Sequence, residues 1–457
     1  MQGNGTAGGS PRVRAAPGQA SWRQRAGLFA GLALLASAPA HGGASLDASA
    51  ARDRALNSAT GWWGPEVAVQ PPGLSFAWSE PRPQLPSLIG EPFAGRGGVR
   101  WLGADLAQGG LRARLGVAWR DGREPAWSLE GSRLSWSPAP VDERGSGEFY
   151  ASVERRHWGP GWTASLILDG SAPAVAALGW RRTELSRSAH PWMSWLGPWG
   201  ADVFVGRLQG HRQPERPSLF GMRLVLAPLA GVELGLSRTI QWGGRGRDER
   251  WSSLRNALLG RDNVGFDGIT ADNEPGNQLA GADLRWTIDP VHQTAVYAQG
   301  IGEDEAGKLP SRNMVLVGID SRWATEGGVL RFFVEYADVL AGRVSRDPRP
   351  FAAYRHAIYR QGYTHEGQPL GHPAGGDLKL ASVGTLYRAQ ALSVMGVVSL
   401  GHAEPSAERL APGVFYGFET QMQWPLDAAS QLHAGAAWYR DSTGRRQALR
   451  AGWRIGW

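Results

Sequence analysis

Six side chains able to engage a sugar, Tyr354, His356, Tyr359, Tyr363, His365 and His372, crowd into the stretch from Tyr354 to Asp377 together with Arg355, Arg360, Glu366 and Asp377. Aromatic faces stack on sugar rings, while Arg, Asp and His reach hydroxyls and carboxylates, so the composition suits a carbohydrate surface. Tyr354, His356, Tyr359, Tyr363, His372 and Asp377 are accordingly the candidate carbohydrate-binding residues. The competing expectation is a structured loop whose aromatics pack inside the mouth of the fold. Two acidic clusters, Glu303-Asp304-Glu305 and Asp267 with Asp272, Asn273 and Glu274, suit a hard cation or solvated loop charge, and their spacing matches no calcium loop. His190, His211, His292, His356, His365 and His372 never fall at zinc-ligand spacing. The chain has no cysteine, no Gly-x-Ser-x-Gly elbow and no phosphate-binding loop in its proper context. No catalytic residue, metal or cofactor is therefore expected.

The elements that must position these groups read as strands. From Leu449 to Trp457 every odd position is apolar and every even one is Arg or Gly. Successive strand side chains point to opposite faces, so Leu449, Ala451, Trp453, Ile455 and Trp457 share one face and Arg450 and Arg454 the other. The same alternation runs through Leu111 to Trp119, Ala280 to Ile288, Val315 to Trp323, Leu330 to Tyr336, Val414 to Trp424 and Leu432 to Trp438. Charges of both signs occupy the polar face, and the apolar stripe repeatedly ends on an aromatic, as in Trp119, Trp286, Trp323, Tyr336, Trp424 and Trp438. That is the pattern of a wall with lipid outside and a polar lumen within. From Gly97 to Trp457, 361 residues at roughly 20 per strand give about 18 strands, within a range of 16–18. The expected fold is all-β, a transmembrane antiparallel β-barrel with a short N-terminal helical and Pro-rich periplasmic segment.

Ahead of the barrel, Arg23 and Arg25 precede the apolar run Ala26 to Ala38, and Ala38-Pro39-Ala40 supplies small residues for a signal peptidase. Residues 1–40 read as an extension plus signal peptide. Residues 41–95 read as a periplasmic helix (Ala48 to Thr60) followed by a segment that Pro65, Pro71, Pro72, Pro81, Pro83, Pro86 and Pro92 keep irregular. Residues 96–457 read as the barrel.

At the level of motifs the chain resembles the capsule assembly Wzi proteins of Gram-negative outer membranes. The resemblance rests on Arg156-His157-Trp158-Gly159-Pro160-Gly161-Trp162 with Ser165-Leu166-Ile167-Leu168, on Leu196-Gly197-Pro198-Trp199, on Tyr297-Ala298-Gln299 with Leu309-Pro310-Ser311, and on the Tyr354 to Asp377 block. It implies an 18-stranded barrel that acts as a non-catalytic lectin, holding capsular polysaccharide or exopolysaccharide at the cell surface. Its partners would be the polymer, outer-membrane lipid and polysaccharide export machinery. Trp158, Gly159, Pro160 and Gly161 carry over as structural motif residues. Family members from well-encapsulated bacteria carry a larger N-terminal helical bundle, and the Pro-rich stretch from Gly64 to Phe93 departs from that.

Two other functions compete. Lumen-facing Arg450 and Arg454 suit a porin-like channel for anionic or sugar solutes, and an outer-membrane hydrolase would need a Ser, a His and a carboxylate meeting at the mouth. Nucleic-acid binding loses its support on counting charge. Arg12, Arg14, Arg23 and Arg25 belong to residues 1–40, which hold no acid, so their removal takes the formal net charge from +7 to +3.

Overall fold

Period-two alternation is realised as long strands that pair only with antiparallel neighbours. The computed structural model describes residues 66–67, 73–79 and 97–456, with breaks at 109, 121–125, 139–146, 188–190, 260–275, 307–308, 343–349, 390–391 and 428. The signal peptide, the Ala48 to Thr60 helix, the second acidic cluster (Asp267, Asp272, Asn273, Glu274), His190 and Trp457 lie outside the described residues.

The strands close into a barrel. In chain order they are β1 (Gly73–Ser79), β2 (Gly97–Gln108), β3 (Leu111–Arg120), β4 (Trp127–Ser128 continued by Arg133–Trp136), β5 (Glu148–Glu154) and β6 (Val175–Arg187). Then come β7 (Pro198–Arg207), β8 (Ser218–Leu229), β9 (Val232–Trp242), β10 (Gln278–Asp289), β11 (Thr294–Ala306) and β12 (Leu309–Thr325). The circuit ends with β13 (Gly328–Gly342), β14 (Leu378–Ala389), β15 (Ser393–Ala403), β16 (Gly413–Pro425), β17 (Ser430–Asp441) and β18 (Gly444–Gly456). Because both pieces of β4 pair with β3, the described residues form a barrel of 18 strands, the expected total, with 17 of them in the counted stretch from Gly97. Pairing of β1 with β18, from Gly73↔Gly456 to Ser79↔Arg450, closes the wall.

This closure corrects the expected start of the barrel. The first strand lies at Gly73–Ser79, inside the stretch read as irregular, because residues 73–80 are free of proline and Leu74, Phe76 and Trp78 alternate with Ser75, Ala77 and Ser79. Just ahead of it, Glu66–Val67 pairs with Arg156–His157, so the chain before β1 runs against the segment that follows β5.

Faces follow the alternation. Leu115, Val117, Trp119, Leu284, Trp286, Val317, Ile319, Phe332 and Val334 point outward and are exposed, while Asp283, Arg285, Asp320, Arg331 and Glu335 point inward and are buried. A wall with its apolar face outward gains nothing from water and requires lipid there. Tryptophans mark both edges of that band. Trp286, Trp323, Trp424 and Trp453 sit toward the end that holds the termini of β1 and β18, and Trp119 and Trp127 toward the opposite end. Connections separate in the same way. Short turns such as 230–231, 290–293 and 326–327 lie at the terminal end, and the long segments 155–174, 208–217, 243–277 and 343–377 lie at the other, which is the extracellular pattern.

Candidate functional site

Two of the long segments turn into the lumen. The first, 155–174, contains Leu166-Ile167-Leu168, a run apolar on every side that no lipid-facing strand would tolerate beside polar neighbours. The whole run is buried. Its entry bend needs the glycines of the Trp158–Trp162 motif. A Cβ on Gly159 would stand 2.6 Å from Gln299 Nε2, and one on Gly161 only 2.1 Å from the Ala164 carbonyl oxygen. Trp158, Gly159, Pro160 and Gly161 are all buried.

Strand side chains then hold the segment in place. Gln299 accepts from Leu166 N (2.8 Å) and donates to the Trp158 carbonyl (2.7 Å). Glu335 accepts from Thr163 N (2.8 Å), from Tyr297 Oη (2.8 Å), from Trp162 N and from the Thr163 hydroxyl. Trp162 donates through its ring nitrogen to Asp320 (3.0 Å), which is also bound by Arg285 (2.5 Å) and Arg331 (2.8 Å). Every one of these groups is buried, so each carboxylate needs its donors to offset desolvation.

The second segment, 350–377, lies on the first. Tyr354 Oη donates to the Leu166 carbonyl (2.9 Å) and accepts from His372 N (3.0 Å), and Asp169 N donates to the Leu370 carbonyl (2.8 Å). Tyr363 donates to Thr239 (2.9 Å) and Tyr359 to the Gly243 carbonyl (3.2 Å). Asp377 accepts from Phe351 N (3.0 Å). Apolar side chains from the inner faces of β5 to β8 and β10 to β16 join both segments in one hydrophobic core. The lumen on that side is therefore packed protein rather than water.

The structure brings the candidate residues together but turns most of them inward. Tyr354, Tyr359, Tyr363, His372 and Asp377 are buried, and only His356 is half-buried, its ring 5.7 Å from that of Tyr359. Of the acidic cluster at 303–305, Glu303 is buried on β11 and accepts from Tyr354 N, whereas the side chains of Asp304 and Glu305 lie outside the described residues. Among the described residues no group of three His, Asp or Glu side chains converges as a metal would require.

One platform escapes the sequence reading. Phe351, three residues before the block, is 65% exposed, with the Arg355 guanidinium 5.0 Å from its ring centroid. Arg355 also pairs with Glu408 (3.2 Å) on the neighbouring 404–412 segment, and Arg360 stands exposed nearby in the chain. Phe351 has φ +65°, and four of the seven described non-glycine residues with positive φ (Phe351, Tyr354, Glu366 and Asp377) lie in this segment. Such conformations persist only where the surroundings over-determine them, and the buried tyrosine and aspartate contacts supply that. The only sequence signal for Phe351 was its nearness to the block.

Residues 148–438, from β5 into β17 and including both inward segments, match the family described as capsule assembly protein Wzi. The chain belongs to the Wzi family. An uncharacterised 55.8 kDa protein in the cps region of Klebsiella pneumoniae is 35% identical over 183 residues, which are 40% of this chain and 35% of that protein. The chain thus spans about a third of the length of the curated relative it matches. The solved structure of Wzi, an outer membrane protein involved in group 1 capsule assembly in Escherichia coli and described as a carbohydrate-binding β-barrel, aligns at a TM-score of 0.71. That alignment covers 94% of this chain and 91% of that one at 21% identity, and it shows the fold.

Acid dependence separates the parts of the inward segments of this Wzi family member. Burial pushes the His372 imidazole down to about 3, and its Nδ1 accepts from Ala374 N (3.2 Å). Stability from the neutral ring is complete above the unfolded value near 6.5 and is lost as pH falls from there toward 3. Asp169 acts in the opposite sense. Burial pushes its carboxyl up to about 7, so the cost of burying its charge is lifted as pH falls from 7 toward 4. The two contributions, each on the order of 3 kcal/mol over that window, nearly cancel. In H372N, which keeps an acceptor for Ala374 N, the opposing His372 contribution is gone. Its Tm in detergent is expected to rise relative to that of the wild type as pH falls from 7 to 4. Parallel curves would refute this assignment.

Proposed function

We propose that the chain is a non-catalytic outer-membrane lectin that holds capsular polysaccharide or exopolysaccharide at the cell surface. Residues 1–40 direct its export and are removed. Its partners are the polymer, the lipid around the barrel and the export machinery that delivers the polymer. The observation carrying this reading is that two interlocked segments from the long-loop end pack against the inner wall and fill the lumen on that side, which gives the mouth a built surface. A porin-like channel is less supported for the same reason. The buried candidates Tyr354, Tyr359, Tyr363, His372 and Asp377 serve as posts for that surface, and Phe351, Arg355, His356 and Arg360 present the stacking and basic groups that meet sugar rings and their acid substituents. Catalysis has no foothold at His372, whose ring is fully buried and held neutral.

Deletion of the gene is the test. The reading predicts that polymer passes from the cell surface into the medium while total synthesis is unchanged. Polymer that stays fully cell-associated in the deletion strain would overturn it.

A further inference from the structure

The outer wall is dented beside strand β4. Between Ser128 and Arg133 the strand leaves the ladder, and the Ser132 hydroxyl takes its place, accepting from Gly116 N and donating to the Gly116 carbonyl, both at 2.9 Å. Outward positions around this break are small, with Ala113, Ala151 and Ala176 as a floor and Leu115, Leu134 and Leu178 as walls. They line an apolar groove of about 940 Å³. Its long-loop end is bounded by helix α1 (Trp251–Leu258). This helix packs on the outside of the barrel, where Leu254 and Ala257 bury the outward side chains Ile240 and Trp242 of β9. Trp251, 72% exposed, lines the groove.

The groove does not end in water. At Arg207 and Glu249 it meets a polar cavity of about 680 Å³, lined also by Gln209, Glu215, Arg216 and Arg245. Arg207 holds Glu249 through two hydrogen bonds (2.6 and 2.8 Å), and Arg245 holds Glu215 (3.0 Å). Arg216 has no carboxylate partner among the described residues, so the cavity keeps an excess positive charge. An apolar trough running into an arginine pocket matches an amphiphile with an anionic head.

We infer that this composite site binds a phosphate-bearing glycolipid of the surrounding leaflet, with acyl chains in the groove and phosphate at Arg216 and Arg245. A second copy of the chain would fill the trough with its own apolar wall and leave the arginines unmatched. The apolar groove lies on the outer wall of the barrel.

The purified full chain in detergent, titrated with diphosphorylated lipid A and followed by native mass spectrometry, tests this. The wild type is expected to retain lipid A. A176W, which fills the trough, and R216Q/R245Q, which removes two of the three arginines of the head site on exposed loops, should each weaken retention at least tenfold, and dephosphorylated lipid A should bind the wild type correspondingly worse. Inorganic phosphate alone should not displace the lipid. Equal retention by wild type and R216Q/R245Q, or indifference to the phosphates, would overturn the proposal by reducing the lipid to a nonspecific annulus. So would lipid-free dimers of the wild type that A176W abolishes. The arginine variant keeps the test decisive even if A176W fails to fold.

Discussion

Replacing Glu335 with alanine is expected to turn an electrically silent barrel into a conducting one. The wild-type carboxylate accepts from two backbone N–H groups of the 155–174 segment, from the Thr163 hydroxyl and from Tyr297. In the alanine variant these buried donors lose their acceptor, at about 1–3 kcal/mol for each. Water can satisfy them only by entering the lumen and lifting the segment from β13. The wall itself keeps its ladder hydrogen bonds, so the barrel should remain assembled while its interior loosens. Single-channel recording in planar bilayers is the check. Steady conductance from E335A beside a silent wild type is the expected result, and a variant as silent as the wild type would show that Gln299 and Asp320 hold the segment without it.

Asp320→Ala should strike harder, at assembly rather than gating. Asp320 is fully buried and carries Arg285, Arg331 and the Trp162 ring nitrogen at once. Removing one member of a buried ionic cluster costs about 3–5 kcal/mol, because the remaining charges stay desolvated. Here two guanidinium groups lose the carboxylate between them, and both belong to strands of the wall. The fraction of outer-membrane protein that runs as folded barrel on unheated gels is expected to fall severalfold in D320A. A folded fraction equal to that of the wild type would mean that the arginines find other acceptors at little cost.

The wall was legible in the sequence because a lipid-facing strand has a strict period. Leu111 to Trp119 and Leu330 to Tyr336 each assign their two faces without any knowledge of their neighbours, and the structure places both as read. Even the charges that anchor the interior, Asp320, Arg331 and Glu335, were visible as full charges on the polar face. The contacts of Asp320 and Glu335 with the inward segment were not, since Trp162 and Thr163 lie more than 150 residues away in the chain. Strand β1 was missed because prolines on both sides masked a window of only eight residues. In the Tyr354 to Asp377 block, residue type alone does not separate an aromatic that stacks on sugar from one that buries itself. Tyr354, Tyr359 and Tyr363 bury themselves, and the exposed ring belongs to Phe351, whose positive φ has no sequence signature in a non-glycine residue.

What remains open to direct test is that the mouth, and not the lumen, holds the polymer. A strain lacking the gene, carrying either the wild-type chain or F351A/R355Q/R360Q, allows the cell-associated fraction of surface polysaccharide to be measured at equal amounts of folded barrel. Retention by the wild type, with most polymer shed into the medium by the triple variant and total synthesis unchanged, is the predicted result. Equal retention by the two would contradict it.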